Sequence, residues 1–112
     1  MKTRAGHSGL DCVSDWEDLA RHAGYRVKQL AWLTGCTPRQ LERYFMDNFR
    51  MPPHPWMDHL RMRDVQSRLA SGELAKNVTE EVGFTHAPHL SYWYKRRSGQ
   101  RVSDFIATLA KR

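Results

Sequence analysis

The sequence of 112 residues predicts an all-α fold of about seven short helices. Apolar residues recur at helical spacing along most of the chain, and no segment shows the alternation of apolar and polar residues that is typical of a β-strand. Glycines, prolines and capping residues divide the chain into segments of helical length. Hydrophobic residues make up 40% and charged residues 27%, so one globular domain can bury a core without disulfides or a metal.

The first segment is predicted to be a flexible arm, residues 1–13, because it contains glycine and serine and few apolar residues. Ser14 and Glu17 have the spacing of a capping box, which predicts a helix over about residues 15–23. The folded domain is therefore expected to occupy residues 14–112.

The later helices have their own start and stop signals. Residues 37–40, Thr-Pro-Arg-Gln, supply a capping hydroxyl, a proline for the first helical position and a glutamine three residues on. Residues 51–55, Met-Pro-Pro-His-Pro, are predicted to be a non-helical linker whose last proline opens a linker helix over about 55–71. Another helix is expected over about 87–97, and Ser103 is expected to cap the last one.

An internal repeat is the most informative feature of the sequence. Residues 30–37, Leu-Ala-Trp-Leu-Thr-Gly-Cys-Thr, align with residues 78–85, Val-Thr-Glu-Glu-Val-Gly-Phe-Thr. In each copy a small residue lets two helices cross closely, the glycine allows a left-handed turn, and the final threonine is expected to cap the following helix. The repeat therefore predicts two helix-turn-helix subdomains, over about 26–49 and 74–97, joined by the linker helix.

The residues of the repeat resemble the DNA-binding region of the AraC/XylS family of bacterial transcription regulators. The family pattern Leu-Ala-x-x-x-Gly-x-Ser/Thr followed by Leu-x-Arg-x-Phe is present as Leu30, Ala31, Gly35, Thr37, Leu41, Arg43 and Phe45. The middle segment of the family aligns with Pro53, Trp56, Met57, Arg61 and Met62. The second signature aligns with Val82, Gly83, Phe84, His89, Leu90, Tyr94, Lys95, Arg96 and Gly99. The match covers about residues 14–109, and it implies a double helix-turn-helix fold that binds DNA.

The chain departs from the family pattern at several positions. Arg50 stands where the family usually has glycine, Thr79 where it has alanine, Tyr92 where it has arginine, and Val102 where it has proline. The arginine that the family usually has in place of Tyr92 supports DNA contact. Because this chain lacks it, we expect the second recognition helix, over about residues 87–97, to contribute affinity more than specificity.

The chain is basic, and most of its net charge lies near its C-terminus. Eighteen Lys and Arg residues against twelve Asp and Glu residues give a formal net charge of +6 and a pI near 9.7. Residues 91–112 contain six of these cations and one acid, Asp104. This excess favours a polyanionic partner.

The first recognition helix carries side chains suited to reading bases. Helical spacing leaves Arg39, Gln40, Glu42 and Arg43 outward. Arginine can pair with guanine through two hydrogen bonds, and glutamine can pair with adenine. The family resemblance implies base contacts at Arg39, Glu42 and Arg43. Glu42 either accepts from cytosine or holds Arg39 in place. Thr37 is a candidate to offer an amide to a phosphate.

The second recognition helix presents shorter or neutral groups outward. The candidate base-reading residues are His86, His89, Ser91 and Tyr92. The candidate phosphate-binding residues are Thr85, Lys95, Arg96 and Arg97.

Other chemistries have little support in the sequence. His86 and His89 have one helical turn's spacing, with His54 or His59 as conceivable additions, but no cysteine or carboxylate completes a zinc site. Cys36 follows the turn glycine and is expected to pack inside rather than act as a nucleophile. We therefore predict no enzyme activity, no metal and no cofactor. The absence of a signal sequence or apolar span, and only two cysteines, predict a cytoplasmic protein. The family resemblance implies a place at the bacterial nucleoid.

The sequence as a whole predicts a sequence-specific DNA-binding transcription regulator. We expect a stand-alone activator that binds double-stranded DNA as a monomer across two successive major grooves, with RNA polymerase as a candidate second partner. No effector-binding domain is evident, and no membrane partner is expected. The alternative is a protein-interaction module of the same fold that sequesters another regulator or a polymerase subunit. Pro88 and Tyr92, in the second recognition helix, are the sequence features that favour this alternative.

Overall fold

The computed structural model describes residues 15–110, and these form seven helices and no strand, which confirms the all-α prediction. The helices are α1 (Trp16–His22), α2 (Val27–Thr34), α3 (Pro38–Phe49), α4 (Pro53–Ala70), α5 (Ala75–Glu81), α6 (Ala87–Ser98) and α7 (Val102–Ala110). The predicted arm and Ser14 lie outside the described residues. The chain divides into two compact units, the first ending at Leu60 and the second beginning at Arg61. None of the helices described is long and apolar enough to cross a membrane.

The first unit contains the first helix-turn-helix, α2 and α3, and its core is aromatic. Phe45 of α3 is fully buried at the centre of this core. The Trp16 ring of α1 lies 5.0 Å from the Phe45 ring, and the Trp56 ring of α4 lies 5.2 Å from it, both edge-on. Edge-to-face pairs of this kind stabilise a fold beyond the area they bury. The aromatic cluster therefore fixes α3 against its neighbours.

The second unit contains the second helix-turn-helix, α5 and α6, around an aliphatic core. Val78, Val82 and Leu90 are buried there, as is Tyr94 of α6. The Tyr94 hydroxyl accepts a hydrogen bond of 3.2 Å from the Gln66 side chain of α4. Because a buried hydroxyl without a partner would destabilise the core, this bond allows a tyrosine at the centre of the unit.

The prediction that residues 51–55 form a non-helical linker was wrong for its second half. Helix α4 begins at Pro53, two residues before the predicted start, and ends at Ala70. The first turn of a helix has amide groups that need no partner within the helix, so prolines at its first and third positions do not break it. In its first turn the Trp56 amide donates a hydrogen bond of 3.3 Å to the Pro52 carbonyl.

Two predicted caps were also displaced. The N-cap of α1 is Asp15, whose carboxylate accepts from the Asp18 amide at 3.0 Å, and the helix begins one residue after it. Helix α7 begins at Val102 rather than after Ser103. There the Asp104 carboxylate accepts from the Arg101 amide at 3.2 Å, which is the reciprocal half of a capping box. In both cases an aspartate supplies the capping acceptor.

Candidate nucleic-acid interface

The turn of the first helix-turn-helix has the conformation that the sequence predicts. Gly35 ends α2 with a φ of 72°, in the left-handed region. The Cys36 amide then donates to the Ala31 carbonyl at 3.0 Å, which closes the end of the helix. A Cβ atom on Gly35 would meet no atom within 4 Å, so the backbone conformation, rather than close packing, requires glycine.

Helix α3 starts with the capping box that the sequence predicts. The Thr37 hydroxyl accepts from the Gln40 amide at 3.1 Å, and the Gln40 side-chain oxygen accepts from the Thr37 amide at 2.9 Å. The Gln40 oxygen is therefore engaged at the helix end, and a two-bond pairing with adenine would require the box to open. The Thr37 amide is engaged as well, so its hydroxyl hydrogen is the group left to meet a phosphate.

The outward face of α3 carries charged groups that other described residues leave unpaired. Arg39, Glu42 and Arg43 are exposed. None of the three makes a hydrogen bond or ion pair with any residue in the range 15–110. Glu42 and Arg39 therefore form no ion pair, and the alternative in which Glu42 holds Arg39 in place is wrong. Arg39 and Arg43 lie four residues apart, which puts both guanidinium groups on one side of the helix.

Met46 is a further residue on this face, and the sequence analysis did not single it out. Its side chain is 46% exposed. It follows Arg43 by three residues and Arg39 by seven, so it extends the same stripe along α3. An apolar group at this place can contact the methyl group of thymine. The heptad spacing from Arg39 was the signal that could have identified it.

The turn of the second helix-turn-helix resembles the first but is one residue longer before its cap. Gly83 has a φ of 79°, and the Phe84 amide donates to the Thr79 carbonyl at 3.0 Å. The prediction that Thr85 caps α6 was wrong, because the N-cap is His86. The His86 ring nitrogen accepts from the His89 amide at 3.4 Å. The extra residue of the second copy thus lies inside the turn and moves the cap along by one position.

Arg61 of α4 contacts the backbone and a side chain of this second turn. Its Nε donates a hydrogen bond of 2.8 Å to the Val82 carbonyl, at the end of α5. Its guanidinium carbon lies 3.7 Å from the centre of the Phe84 ring and 5.5 Å from that of Trp93. The carbonyl and both rings belong to the turn or to α6, so one side chain fixes the entry of the second recognition helix.

Comparison with known proteins decides the family. A family model described as a helix-turn-helix domain matches residues 30–108, which is most of the chain. The chain belongs to the AraC-type helix-turn-helix family. It is similar in fold to the crystal structure of a transcriptional regulator from Chromobacterium violaceum that carries an AraC-type DNA-binding domain, with a TM-score of 0.63 and 20% sequence identity. That match covers 83% of this chain and 89% of the other. No curated protein sequence matches significantly.

Membership of the AraC-type family makes the chain a DNA-binding transcription regulator. On α6 the candidate base-reading residues His86, His89, Ser91 and Tyr92 are all exposed. Three of them have partners of their own, since the His86 ring already caps the helix. The His89 ring lies 4.9 Å from the Phe84 ring, and the Tyr92 hydroxyl accepts from Arg96 at 3.0 Å. These contacts already engage the His89 ring and the Tyr92 hydroxyl.

The candidate phosphate-binding cations of this AraC-type domain lie in the last turn of α6. Lys95, Arg96 and Arg97 are exposed there, and cations at a helix C-terminus are stabilised by the helix dipole. Just beyond them, Arg101 pairs with Asp104 at 3.2 Å. Side-chain and backbone hydrogen bonds from Arg101 lower the pKa of the Asp104 carboxyl from its usual value. Asp104 is therefore already matched to its own cation, Arg101.

The histidines considered for a metal site, and Cys36, lie at separate places along the domain. His86 and His89 are adjacent, with ring centres 6.0 Å apart, whereas His54 faces Asp58 at 3.5 Å. Across residues 15–110, no group of three or more His, Cys, Asp or Glu side chains is placed to hold a metal ion. Cys36 is half-buried, with its sulfur 3.1 Å from the Thr34 hydroxyl.

Proposed function

We propose that this chain is a sequence-specific regulator that reads bases with α3 and holds the DNA backbone with the end of α6. The observation that carries the proposal is the outward face of α3. Arg39 and Arg43 are exposed there and have no partner among the described residues, while the opposite face of the same helix is fixed in an aromatic core. A rigid helix that presents unpaired guanidinium groups is preorganised for guanine edges.

The base-reading set on α3 is proposed to be Arg39, Glu42, Arg43 and Met46. The arginines would pair with guanine and Glu42 would accept from the cytosine amino group, while Met46 would contact a thymine methyl. Gln40 is assigned chiefly to the capping box, because its oxygen already accepts from the Thr37 amide. The Thr37 hydroxyl is assigned to a phosphate.

The second recognition helix is proposed to contribute affinity more than sequence preference. Lys95, Arg96 and Arg97 are charged groups suited to phosphates, which carry no sequence information. Ser91 and Tyr92 are the α6 residues that we retain as candidates for base contact. His86 and His89 contribute chiefly to the helix cap and to packing against Phe84.

One chain carries two helix-turn-helix units, and we therefore assign one molecule to two successive major grooves of an asymmetric site. The resemblance to a family of bacterial transcription regulators supports an activator role with RNA polymerase as a second partner. Transcription from a reconstituted promoter, measured with and without the protein, tests that role. A rise in transcript supports activation, and a fall indicates a repressor.

Selection of duplexes from a random pool tests the proposed function as a whole. The wild-type chain should enrich one asymmetric motif, and Arg39→Ala should lose preference at one position of that motif while keeping the others. Arg21→Ala is the matched control, since Arg21 lies on α1 and pairs with Glu17. If the wild-type chain enriches no motif and shifts no duplex, the chain does not read DNA and the protein-interaction alternative replaces the proposal.

A further inference from the structure

An open groove of about 780 Å³ lies between α6 and α7 in the second unit. Its apolar part is formed by Val102 and Ile106 of α7 and by the Tyr92 ring of α6, and its cationic part by Lys95, Arg96 and Arg101. Apolar and positively charged groups are thus presented together on one surface.

Two of the three apolar groups of the groove are open to solvent, and the third, Val102, is buried. Ile106 is 41% exposed and Tyr92 is 63% exposed. Leu74, which is 69% exposed, directly precedes Ala75, another residue that lines the groove. Exposed apolar side chains that are grouped and rimmed by charge are typical of an interaction site rather than of ordinary surface.

The charge of the groove is positive even after its internal pairs are counted. Arg101 is matched by Asp104, and the Tyr92 hydroxyl that accepts from Arg96 carries no charge. Lys95 has no hydrogen bond or ion pair within residues 15–110. Two of the three cations are therefore left for an acidic partner.

We propose that this groove docks an acidic amphipathic helix of a partner protein. Leucine-like side chains of the partner would lie on Ile106 and the Tyr92 ring, and its carboxylates would face Lys95 and Arg96. A helix that inserts an apolar stripe into a groove is a common mode of peptide recognition. The charge around the groove selects a partner with acidic flanks.

The apolar residues favour a protein over nucleic acid at this place. A DNA backbone engages cations and hydroxyl groups, and it would leave the exposed Ile106 side chain without any matching surface. An acidic amphipathic helix matches both parts of the groove. Lys95 and Arg96 also belong to the proposed phosphate-binding set, and Tyr92 is a proposed base contact, so peptide and DNA should compete. This competition, unlike the docking itself, rests on the proposed function.

Binding of a designed peptide to the full chain tests the docking without DNA. The probe is a fluorescein-labelled helical peptide of leucine and glutamate with one leucine stripe, and its control has the same composition in scrambled order. The striped peptide should bind at least fivefold more tightly than the scrambled one. Ile106→Ser should weaken its binding at least fivefold. Leu33→Ser, on α2 with a similar exposure of 39%, should change its binding less than twofold.

Several results would overturn the proposal. They are no binding of the striped peptide, equal binding of the scrambled peptide, or unchanged binding by Ile106→Ser. A loss of duplex affinity in Ile106→Ser as large as its loss of peptide affinity would assign the groove to DNA instead. Amide chemical shifts of the wild-type chain provide a second measurement should a variant fail to fold. Peptide-induced shifts should be confined to the groove, that is to α6, α7, the residues between them and the start of α5 at Ala75, and shifts elsewhere would contradict the docking.

Discussion

The guanidinium group of Arg61 lies 3.7 Å from the centre of the Phe84 ring. Phe84 is buried in the turn before α6, and the same arginine donates to the Val82 carbonyl at 2.8 Å. One cation therefore combines a ring contact with a charge-assisted hydrogen bond at the point where the second recognition helix begins. The position of that helix depends on a side chain that itself has no proposed contact with DNA.

Arg61→Ala should destabilise the domain and weaken the second half-site. It removes both contacts and leaves the Val82 carbonyl without this donor, so we expect a loss of about 1–3 kcal/mol in the free energy of unfolding. Thermal unfolding measures this loss, and nuclease footprinting should show reduced protection over the part of the site bound by α6. Arg61→Lys should recover only part of the stability, because lysine cannot both stack flat and donate from Nε. Equal protection of both half-sites by Arg61→Ala would contradict the role.

Gly35→Val should destabilise the first helix-turn-helix by about 1–3 kcal/mol, because a β-branched residue is strained at a φ of 72°. Gly35→Asn is the matched control, since asparagine adopts the left-handed conformation more readily and should lose less than valine. Denaturant unfolding gives both values. Since a Cβ at this position meets open space, equal losses for the two variants would show that backbone conformation is not the cause.

Arg50→Gly should stabilise the chain. Arg50 ends α3 with a φ of 61°, and a residue with a Cβ is strained there by about 1–2 kcal/mol. Glycine relieves this strain but gives the unfolded chain more freedom, so the net gain should be about 0.5–1 kcal/mol. Arg50→Ala keeps the strain and should change the melting temperature little. If alanine stabilises as much as glycine, loss of the charged side chain explains the gain instead.

Replacing Lys95, Arg96 and Arg97 together by alanine should weaken binding to every duplex by a similar factor. Each lost phosphate contact removes about one counterion from the salt dependence, so the slope of log affinity against log salt should fall by about 2–3. The control replaces Arg21, Arg26 and Lys28, which changes the net charge equally in the first unit. Filter binding at several salt concentrations checks the result, and a slope that falls equally in the control would contradict a specific phosphate role for α6.

The features that the sequence predicts well are those set by local backbone chemistry. A positive φ at Gly35 and a capping box at Thr37 depend on residues within one turn of each other, and the structure confirms both. The repeat likewise predicted that α2 pairs with α3 and that α5 pairs with α6, because buried small residues and turn glycines recur at fixed spacing.

The helix starts and caps that were predicted at the wrong residues are those for which two local sequence signals compete. Prolines normally indicate a break, yet Pro53 and Pro55 fit the first turn of α4, where amide donors are not needed. One inserted residue in the second turn moved the cap from Thr85 to His86. Contacts such as Arg96 with Tyr92 follow from the side-chain conformations of the folded helix, and spacing alone did not identify them.

The most direct test of base reading by α3 compares Arg43→Ala with the wild-type chain on two duplexes, the selected site and a random sequence. The account predicts that the variant loses about 1–3 kcal/mol on the selected site, or about fivefold to 150-fold in affinity, and less than about twofold to threefold on random DNA. Arg21→Ala should change neither affinity. Equal losses on both duplexes would make Arg43 a phosphate contact and would contradict the assignment of α3 as the helix that reads sequence.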